Sequence, residues 1–432
     1  MILARRALGC LIIATLLSLL VYYRSVSASV TVRTLREKVP QVIGLGDYFD
    51  SNEQHLQDEH SRPFSQPGDL HAPSSSPDSA RPADTGTNVQ SSKAPGSTYT
   101  RNLVMAKMTK ENVTWLDEVD LGPEITRMIY VADDSKAALH PTQNKGHEIM
   151  TYLTYIIDYY DDLPDVSIFM HSHRTAWHNN ELLNWDSGEM IHRLSNERVL
   201  RQGYMNMRCH WNPGCPEWIH PGQVEEDKEK PEQSLMASAW AELFPDKPIP
   251  AVLAQPCCSQ FALSRDRIRA IPLAKYKHYR EWLLRSDIRD TMTGRIFEYL
   301  WQVVFTDESV SCPNQRTCYC DGYGVCFENE KTFDKWFELR YQKQMAEIEL
   351  KEWEEQAEKI EQFKGEDGRW LQGVEAGELQ VPEVGKGQEL KTVIQRIKAD
   401  LERRRLDAIQ RGTDPKARAE SDGRPWNEGD GF

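Results

Sequence analysis

The strongest constraint on the fold is a strand–helix–strand pattern between residues 125 and 170. Residues 125–131 (ITRMIYV) predict a strand, and apolar side chains recur at helical spacing through residues 146–163 until Pro164 ends the helix. Residues 166–170 (VSIFM) form a continuous apolar run, as expected for a strand that is covered on both faces. This order predicts an α/β fold with a mostly parallel sheet and crossover helices.

Further predicted elements extend this pattern on both sides. Residues 102–107 and 257–263 predict strands, whereas residues 276–285 and 293–305 predict helices. A single α/β domain over residues 101–327 accounts for all of these elements.

The N-terminal segment indicates where this domain resides. Arg5 and Arg6 precede an uncharged, mostly apolar run over residues 7–23, which spans roughly 25 Å as a helix and so matches a bilayer core. We therefore expect a cytoplasmic tail over residues 1–6, a transmembrane signal anchor and single-pass type II topology in the membrane. A signal peptide cleaved after Ala28 is the alternative. Both interpretations place the rest of the chain in the lumen of the endoplasmic reticulum or Golgi.

The segments that flank the domain differ from it in composition. Residues 24–100 predict a disordered stem, because residues 61–100 contain six Pro and nine Ser and cannot bury a core. Residues 328–432 predict charged helices, with apolar side chains at heptad-like steps in 333–363 and 390–401. One interpretation is a coiled coil with a helical partner, and the other is two surface helices that pack on the domain or on each other. The net charge of −14 argues against nucleic acid as a partner.

Cysteine usage supports the lumenal location. Eight of the nine cysteines follow residue 200, and an even number in an oxidising compartment favours disulfides over zinc. Cys209 and Cys215 flank a segment that contains Pro and Gly, which predicts that they pair across a tight turn. Asn112 begins the single N-glycosylation sequon. The remaining C-terminal cysteines are expected to pair among themselves: Cys312, Cys318, Cys320 and Cys326.

Three histidines follow the strand predicted over residues 166–170. Ligands of open α/β sheets bind at the carboxyl ends of strands, and residues two apart on a strand point to one side. His171 and His173 are therefore expected to point together, and His178 to return from the following loop. Three imidazoles can hold a divalent metal, so this cluster is the predicted metal site. Polar loop residues tied into hydrogen bonds are the alternative interpretation.

A second group of polar residues opens the predicted helix. Asn144, Lys145 and Gly146 are predicted to bind the phosphate of a sugar nucleotide, because a helix N-terminus offers free N–H groups and partial positive charge. An ordinary N-cap at Asn144 is the alternative. Asn179 is predicted to support substrate binding by orienting an imidazole.

Charged residues of the helix predicted over 293–305 are the catalytic candidates. Glu298 and Arg295 lie off its apolar stripe, so a general base is one interpretation and a solvated ion pair the other. Asp133 and Asp134 end the second predicted strand and are the nearest approach to a paired-carboxylate metal motif, although such turns are common on surfaces. No G-x-S-x-G elbow occurs, which disfavours a serine hydrolase.

Seven segments of the predicted domain follow one another in this order: HPTQNKGHE (140–148), TYLTYII (151–157), LPDV (163–166), FMHSHR (169–174), WHN (177–179), CCSQF (257–261) and GRIFEY (294–299). Together they resemble the fungal "domain of unknown function 3431" family over residues 100–327. His147 stands where the family pattern has Arg. The resemblance implies a fungal, membrane-anchored protein.

An anchor, a stem and a lumenal α/β domain also resemble the architecture of Golgi glycosyltransferases with the A-type fold. We therefore expect a metal-dependent glycosyltransferase that acts on a sugar nucleotide and a glycan. A non-catalytic lumenal binding or scaffold protein and a zinc-dependent hydrolase are the alternatives.

Overall fold

The computed structural model describes residues 98–122, 124–223, 225, 227, 230–364, 373–374 and 380–432. The chain divides into two compact units, residues 1–58 with 227–231 and residues 59–226 with 232–432, and the fold described below belongs to the second. The predicted cytoplasmic tail, signal anchor and cleavage site, and the stem up to residue 97, lie outside the described residues. In the part of the chain that the structure describes, no helix has the length and apolar content needed to cross a membrane.

Five strands form the sheet, and they are short. Their bounds are β1 Arg101–Lys107, β2 Ile125–Val131, β3 Val166–His171, β4 Tyr204–Asn206 and β5 Phe261–Ser264.

Helices fill most of the chain between and after these strands. They are α1 Trp115–Glu118, α2 Glu148–Asp158, α3 Ser187–Arg193, α4 Asn196–Gln202, α5 Met236–Leu243, α6 Arg265–Arg269, α7 Leu273–Arg285, α8 Asp290–Glu298, α9 Trp301–Thr306, α10 Gln315–Tyr323, α11 Glu330–Lys364, α12 Lys386–Arg411 and α13 Pro415–Ser421, with 3-10 turns at Glu181–Leu183 and Pro231–Leu235.

The sheet is mixed, with a parallel core. Its strand order is β2-β1-β3-β5-β4, and β1 pairs in parallel with both β2 and β3. β5 runs antiparallel to β3 and to β4, so β4 points the same way as the parallel strands. The predicted α/β class and the parallel arrangement of the first three strands are confirmed, and β5 is the antiparallel exception.

Both faces of the sheet are covered, because side chains alternate between them along each strand. On one face, α2, α5 and α7 to α9 pack an aromatic core against Phe169 of β3 and Phe261 of β5, whose rings lie 4.9 Å apart. The opposite face buries Leu103 and Met105 of β1 with Ile168 of β3. This arrangement explains why residues 166–170 form an uninterrupted apolar run.

Several element boundaries differ from the predictions because of local backbone geometry. α2 begins at Glu148, after Gly146 (φ 68°) and His147 (φ 54°), which have positive φ values that a helix excludes. β5 begins only at Phe261, because Cys258 (φ 91°) and Ser259 (φ 47°) cannot continue a strand.

The helix predicted over residues 293–305 is two helices, α8 and α9. Gln302 donates from Nε2 to the carbonyl of Tyr299 at 2.9 Å, in the segment where the two helices meet. This side-chain bond takes a carbonyl that a continuous helix would pair within its own backbone.

The tail shares its apolar core with the sheet. Phe333, Trp336 and Phe337 of α11 and Leu401 of α12 are buried with the strand residues of the second face. Trp336 donates its indole N–H to the carbonyl of Leu401 at 3.0 Å, which joins the two long helices. These contacts are those expected of helices that pack on each other and on the domain. The helical partner of the coiled-coil interpretation stays a prediction.

Among the described residues, four disulfides connect the eight cysteines that follow residue 200, but the predicted Cys209–Cys215 pair is wrong. Cys209 pairs with Cys318, and Cys215 pairs with Cys312. The two segments lie side by side, because Trp211 donates its indole N–H to the carbonyl of Pro313 at 2.7 Å. Each end of one segment therefore meets an end of the other, and the bridges join the segments instead of closing either one.

The other two disulfides are local. Cys320 pairs with Cys326, which confirms the expected pairing within the C-terminal group for these two residues, whereas Cys312 and Cys318 pair outside it. Cys257 pairs with its neighbour Cys258.

A buried ion-pair cluster, called here the tail clamp, attaches the C-terminal segment to the domain. Its centre is the carboxylate of Asp321, which is 1% exposed. The guanidinium groups of Arg198, Arg201 and Arg424 each donate to this carboxylate at 2.8 Å. Arg198 also reaches Asp422 at 3.3 Å. Asp321 pairs with more than one arginine, so its charge is compensated although it is buried.

Candidate functional site

The carboxyl ends of the parallel strands define one edge of the sheet, called here the carboxyl edge. β1, β2 and β3 end there, β4 ends there because it is parallel to β3, and β5 begins there because it is antiparallel. Loops at such an edge are the usual ligand sites of open α/β sheets. The loop that follows β3 brings His173, His178 and Asn179 to this edge, and the loop that precedes β5 brings Cys257 and Cys258 there.

His171, the last residue of β3, is joined to Glu298 of α8 through Cys258. The Nε2 atom of His171 lies 2.8 Å from the carbonyl oxygen of Cys258, so it carries a proton and donates. The amide of Cys258 in turn donates to Oε1 of Glu298 at 2.7 Å. Glu298, a predicted catalytic residue, therefore lies at the same edge as the predicted metal site.

His178 lies beside His171, with ring centroids 4.8 Å apart. Its side chain is 2% exposed, and among the described residues its Nε2 has no hydrogen-bond partner. Burial lowers the pKa of His178 well below its ordinary value, and the positive charges of His171, Arg208 and His173 lower it further. His178 is therefore a neutral imidazole at neutral pH, with one buried nitrogen that the protein leaves unpaired.

Asn179 holds the loop that carries His178. Its Nδ2 donates to the carbonyl of Trp185 at 2.8 Å and to Oγ of Ser187 at 3.0 Å, and its Oδ1 accepts from Nε2 of Gln260 at 2.9 Å. These bonds occupy the amide, so Asn179 positions the loop and does not contact an imidazole in the way that the sequence predicted.

Arg208 brings a positive charge to this edge. It follows β4, is buried, and donates to the carbonyls of Trp177 at 3.3 Å and Asn212 at 2.7 Å. Burial lowers the pKa of Arg208 to about 10, so it stays charged at neutral pH. Within the described part of the chain no carboxylate lies within 4 Å of it, and its Nε has no hydrogen-bond partner. This charge attracts anions to the edge.

The three predicted metal ligands do not form one centre. Nε2 of His173 lies 3.9 Å from Oε1 of Glu111, whereas the rings of His171 and His178 contact each other. Over the described ranges, only one group of three His, Cys, Asp or Glu residues has its ligand atoms within 4.8 Å of one another, and it is Cys257, Cys258 and Glu298. The predicted three-histidine geometry is therefore wrong, because the chain turns after His171, and His173 packs toward the loop after β1.

The residues predicted to bind phosphate make contacts within the protein. Nζ of Lys145 donates to the carbonyl of Ser286 at 2.5 Å, and the amide of Asn144 lies 3.8 Å from the sulfur of Met108. Gly146 precedes the helix in a turn and its neighbour His147 makes no side-chain cap. Asn144 is therefore not the N-cap: His147 holds that position, and the helix starts at Glu148, two residues later than predicted.

Arg295 and the acidic pair after β2 also have structural partners. Arg295 reaches the buried Glu232 at 3.2 Å, which makes an internal ion pair and not the solvated one. Asp133 accepts from the amide of Thr109 at 2.7 Å, and these bonds lower the pKa of Asp133. Asn112 is exposed, so its sequon is accessible, and its glycosylation stays a prediction.

Sequence reasoning missed two features of this edge. Arg208 was missed because β4 has only three residues, too few to show a period of two. The pairing of Cys257 with Cys258 was missed because the segment was assigned to a strand. Their adjacency was the signal that could have identified it.

Comparisons with known proteins add one match. A family model described as "Protein of unknown function (DUF3431)" matches residues 103–321, about half of the chain. This range contains all five strands except the first two residues of β1. No curated protein and no solved structure matches the chain.

Proposed function

The chain belongs to the DUF3431 family of proteins of unknown function, and on that premise we propose that its carboxyl edge is the active site of a glycosyltransferase-like enzyme. The proposed substrates are an anionic sugar nucleotide as donor and a glycan as acceptor. The proposal includes the finer assignment of the sheet to the glycosyltransferase A-type fold, which has a mixed sheet with a parallel core.

One observation carries the proposal: the buried Nε2 of His178 has no hydrogen-bond partner among the described residues. Leaving a buried polar group unpaired costs about 1–3 kcal/mol, so proteins rarely keep one without a reason. A bound ligand would supply the partner. Because His178 lies at the edge where open α/β sheets bind ligands, an absent ligand is the simplest reason.

The charge of the edge selects the class of ligand. Arg208 remains protonated, its guanidinium donates to two backbone carbonyls, and Glu181 offsets the effect of its burial only in part, so it favours an anion such as the diphosphate of a sugar nucleotide. Glycosyl transfer breaks the bond between the anomeric carbon and the phosphate oxygen, and negative charge then develops on the leaving phosphate. A buried cation near that phosphate stabilises the developing charge.

Glu298 supplies the base in this proposal. It is half-buried at the end of α8 and fixed by the amide of Cys258. Its second carboxylate oxygen can take the proton of an acceptor hydroxyl as that oxygen attacks the anomeric carbon. The proton then resides on Glu298, and the nucleotide leaves with the electron pair of the broken bond.

The proposal keeps a divalent metal, but with two protein ligands instead of the three that the sequence predicted. His171 and His178 are two neighbouring imidazoles, and a metal held by two imidazoles would need the donor phosphates to complete its ligands. Because Arg208 repels a free cation, we expect metal to bind together with the donor and not alone.

We also propose that the domain faces the lumen as part of a single-pass type II membrane protein of the Golgi or endoplasmic reticulum. The four disulfides support an oxidising compartment. The apolar run over residues 7–23 supports retention of the anchor. Mass spectrometry of the mature N-terminus tests this, and a chain that starts at Ser29 would contradict the anchor.

The test of the enzyme proposal is a thermal-shift screen of the full-length chain. Sugar nucleotides are supplied with and without manganese or zinc, and release of free nucleotide is followed for each donor that raises Tm. We expect one donor class to raise Tm and to be hydrolysed slowly. His178→Ala should abolish the shift, whereas His192→Ala, which removes a half-exposed histidine of α3, should retain it.

The outcomes distinguish the competing functions. A donor that binds without nucleotide release, with or without glycan acceptors, would indicate a non-catalytic lumenal binding domain. If no sugar nucleotide changes Tm, the transferase proposal is wrong.

A further inference from the structure

The bond between Cys257 and Cys258 differs in kind from the other three disulfides. It joins adjacent residues, so it closes no loop of the chain and restricts the unfolded state very little. Cys209–Cys318 and Cys215–Cys312 connect residues 109 and 97 positions apart and brace the fold. The Cys257–Cys258 bond therefore adds little to the stability of the fold and has another role.

The backbone around this pair is held in an unusual conformation. Cys258 (φ 91°) and Ser259 (φ 47°) both have positive φ, which residues with a side chain rarely adopt. Cys257 is buried, whereas Cys258 is half-exposed at the carboxyl edge. Backbone outliers of this kind cluster at functional sites.

The same pair lies beside a carboxylate. The two Sγ atoms and a carboxylate oxygen of Glu298 all lie within 4.8 Å of one another. Two thiolates and one carboxylate are ligands that zinc accepts, and three protein ligands leave a fourth position open for water. While the disulfide is closed, neither sulfur is a thiolate, so the set of ligands is complete only after reduction.

We propose that Cys257 and Cys258 form a reducible pair whose dithiol form binds zinc together with Glu298. The reductant is a dithiol. One of its thiolates attacks Sγ of Cys258 and forms a mixed disulfide, and Cys257 leaves as a thiolate. The second thiol of the reductant then attacks the reductant's first sulfur in the mixed disulfide. Cys258 leaves as a thiolate, and the reductant is oxidised to a disulfide. Zinc binds the two thiolates, and the two protons of the reductant's thiols pass to solvent.

Zinc binding at this position would alter the carboxyl edge. Glu298 would leave the amide of Cys258, and the carbonyl of Cys258 is the partner of His171. This consequence rests on the proposed transferase function, because Glu298 is its base: the reduced, zinc-loaded form would be inactive. The zinc site itself does not depend on that function and is tested without any donor.

The experiment titrates the native full-length chain with dithiothreitol in the presence of buffered zinc. Alkylation and peptide mapping identify which disulfides open, and elemental analysis after desalting gives the zinc content. We expect the Cys257–Cys258 pair to open while the buried Cys209–Cys318 bond stays closed. Zinc content should then rise from none to about one ion per chain.

Matched variants assign the ligands. Glu298→Gln should weaken zinc binding by at least about tenfold, whereas Glu281→Gln, which changes an exposed carboxylate of α7, should not. The double variant Cys257→Ser with Cys258→Ser should bind no zinc, whereas Cys320→Ser with Cys326→Ser should still bind it. If the double variants fail to fold, phenylarsine oxide added to the reduced wild-type chain should displace the zinc and add its mass to the peptide that contains Cys257.

Three results would overturn the proposal. The proposal is wrong if the oxidised chain holds the same zinc as the reduced one, if the mapped dithiol takes up none, or if the pair opens only together with the buried disulfides. Each result is read from zinc content and peptide masses alone, so it is separate from failure of the transferase proposal.

Discussion

The tail clamp and the carboxyl edge each bury an arginine, but the protein compensates the positive charge differently in the two places. In the clamp, Arg198 lies 2.8 Å from the carboxylate of Asp321. At the edge, Arg208 has two backbone carbonyls as partners, and the neighbouring His178 keeps one nitrogen unpaired. A buried charge that is matched within the protein stabilises the fold. The charge of Glu181, which pairs with Arg340 at 2.9 Å, only partly offsets the burial of Arg208, so the proposed anionic ligand would add the missing compensation.

The largest expected effect comes from the clamp. Burial alone would raise the pKa of Asp321, but Arg201, Arg198 and Arg424 together bring it below its ordinary value. Asp321→Ala would leave these arginines without their shared carboxylate and should lower the free energy of unfolding by about 3–5 kcal/mol. Urea unfolding measures this. Asp400→Ala, which breaks a partly exposed surface pair in α12, is the control and should cost no more than about 1 kcal/mol.

Removal of individual disulfides is expected to lower the free energy of unfolding by a smaller amount. Cys209→Ala with Cys318→Ala opens a bridge between residues 109 positions apart and should lower the free energy of unfolding by about 2–5 kcal/mol. Cys257→Ala with Cys258→Ala opens a bridge that closes no loop and should change it by less than about 1 kcal/mol. Denaturant unfolding under non-reducing conditions compares the two. Equal losses would show that the adjacent pair also braces the fold.

The smallest effect is a pH dependence that separates the two regions. The pKa of His178 is lowered in the folded state, so the unfolded state binds more protons below about pH 6.5. Its stabilising contribution is complete above that pH and is lost as pH falls, by up to about 1.4 kcal/mol per pH unit. The pKa of Asp321 is also lowered, so its contribution is present above about pH 3.9 and is lost only below it.

His178→Gln removes this titrating group. The free energy of unfolding should therefore depend less steeply on pH between 6.5 and 5.5, by up to the slope of one bound proton, and the contribution of the clamp should be unchanged. The pKa of His210 is lowered by burial as well, but His210 is present in both proteins, so the difference between them isolates His178. Urea unfolding at pH 7.5, 6.5 and 5.5 gives both slopes. Identical slopes would mean that His178 is not a buried neutral imidazole.

Much of the sheet could be predicted from sequence, because its signals are local. Three strands and the helix between β2 and β3 follow from apolar periodicity, and the position of His171 follows from the end of a buried strand. The contact between His171 and His178 lies at the predicted edge. The placement of Glu298 there was not predicted, because it depends on how α8 packs beside the loop before β5.

The remaining features depend on contacts between segments that are distant in sequence. Disulfide pairing followed the side-by-side packing of two segments about a hundred residues apart, which spacing within one segment cannot reveal. His173 was expected to share the side of His171, but the strand ends at His171 and its period of two does not continue. The positive φ values at His147 and Cys258 are rare for residues with side chains, so propensity alone could not place them.

The attachment of the tail has a consequence for biosynthesis. Asp321 binds Arg424, 103 residues later in the chain, and Gly412 lies so close to Gly324 that a Cβ atom would reach within 1.9 Å of its carbonyl oxygen. At translation rates of about 5–20 residues per second, Arg424 is synthesised roughly 5–20 seconds after Asp321. During that interval the nascent domain presents an uncovered apolar surface. We expect chaperones to hold it, and their release to coincide with the synthesis of the last helices.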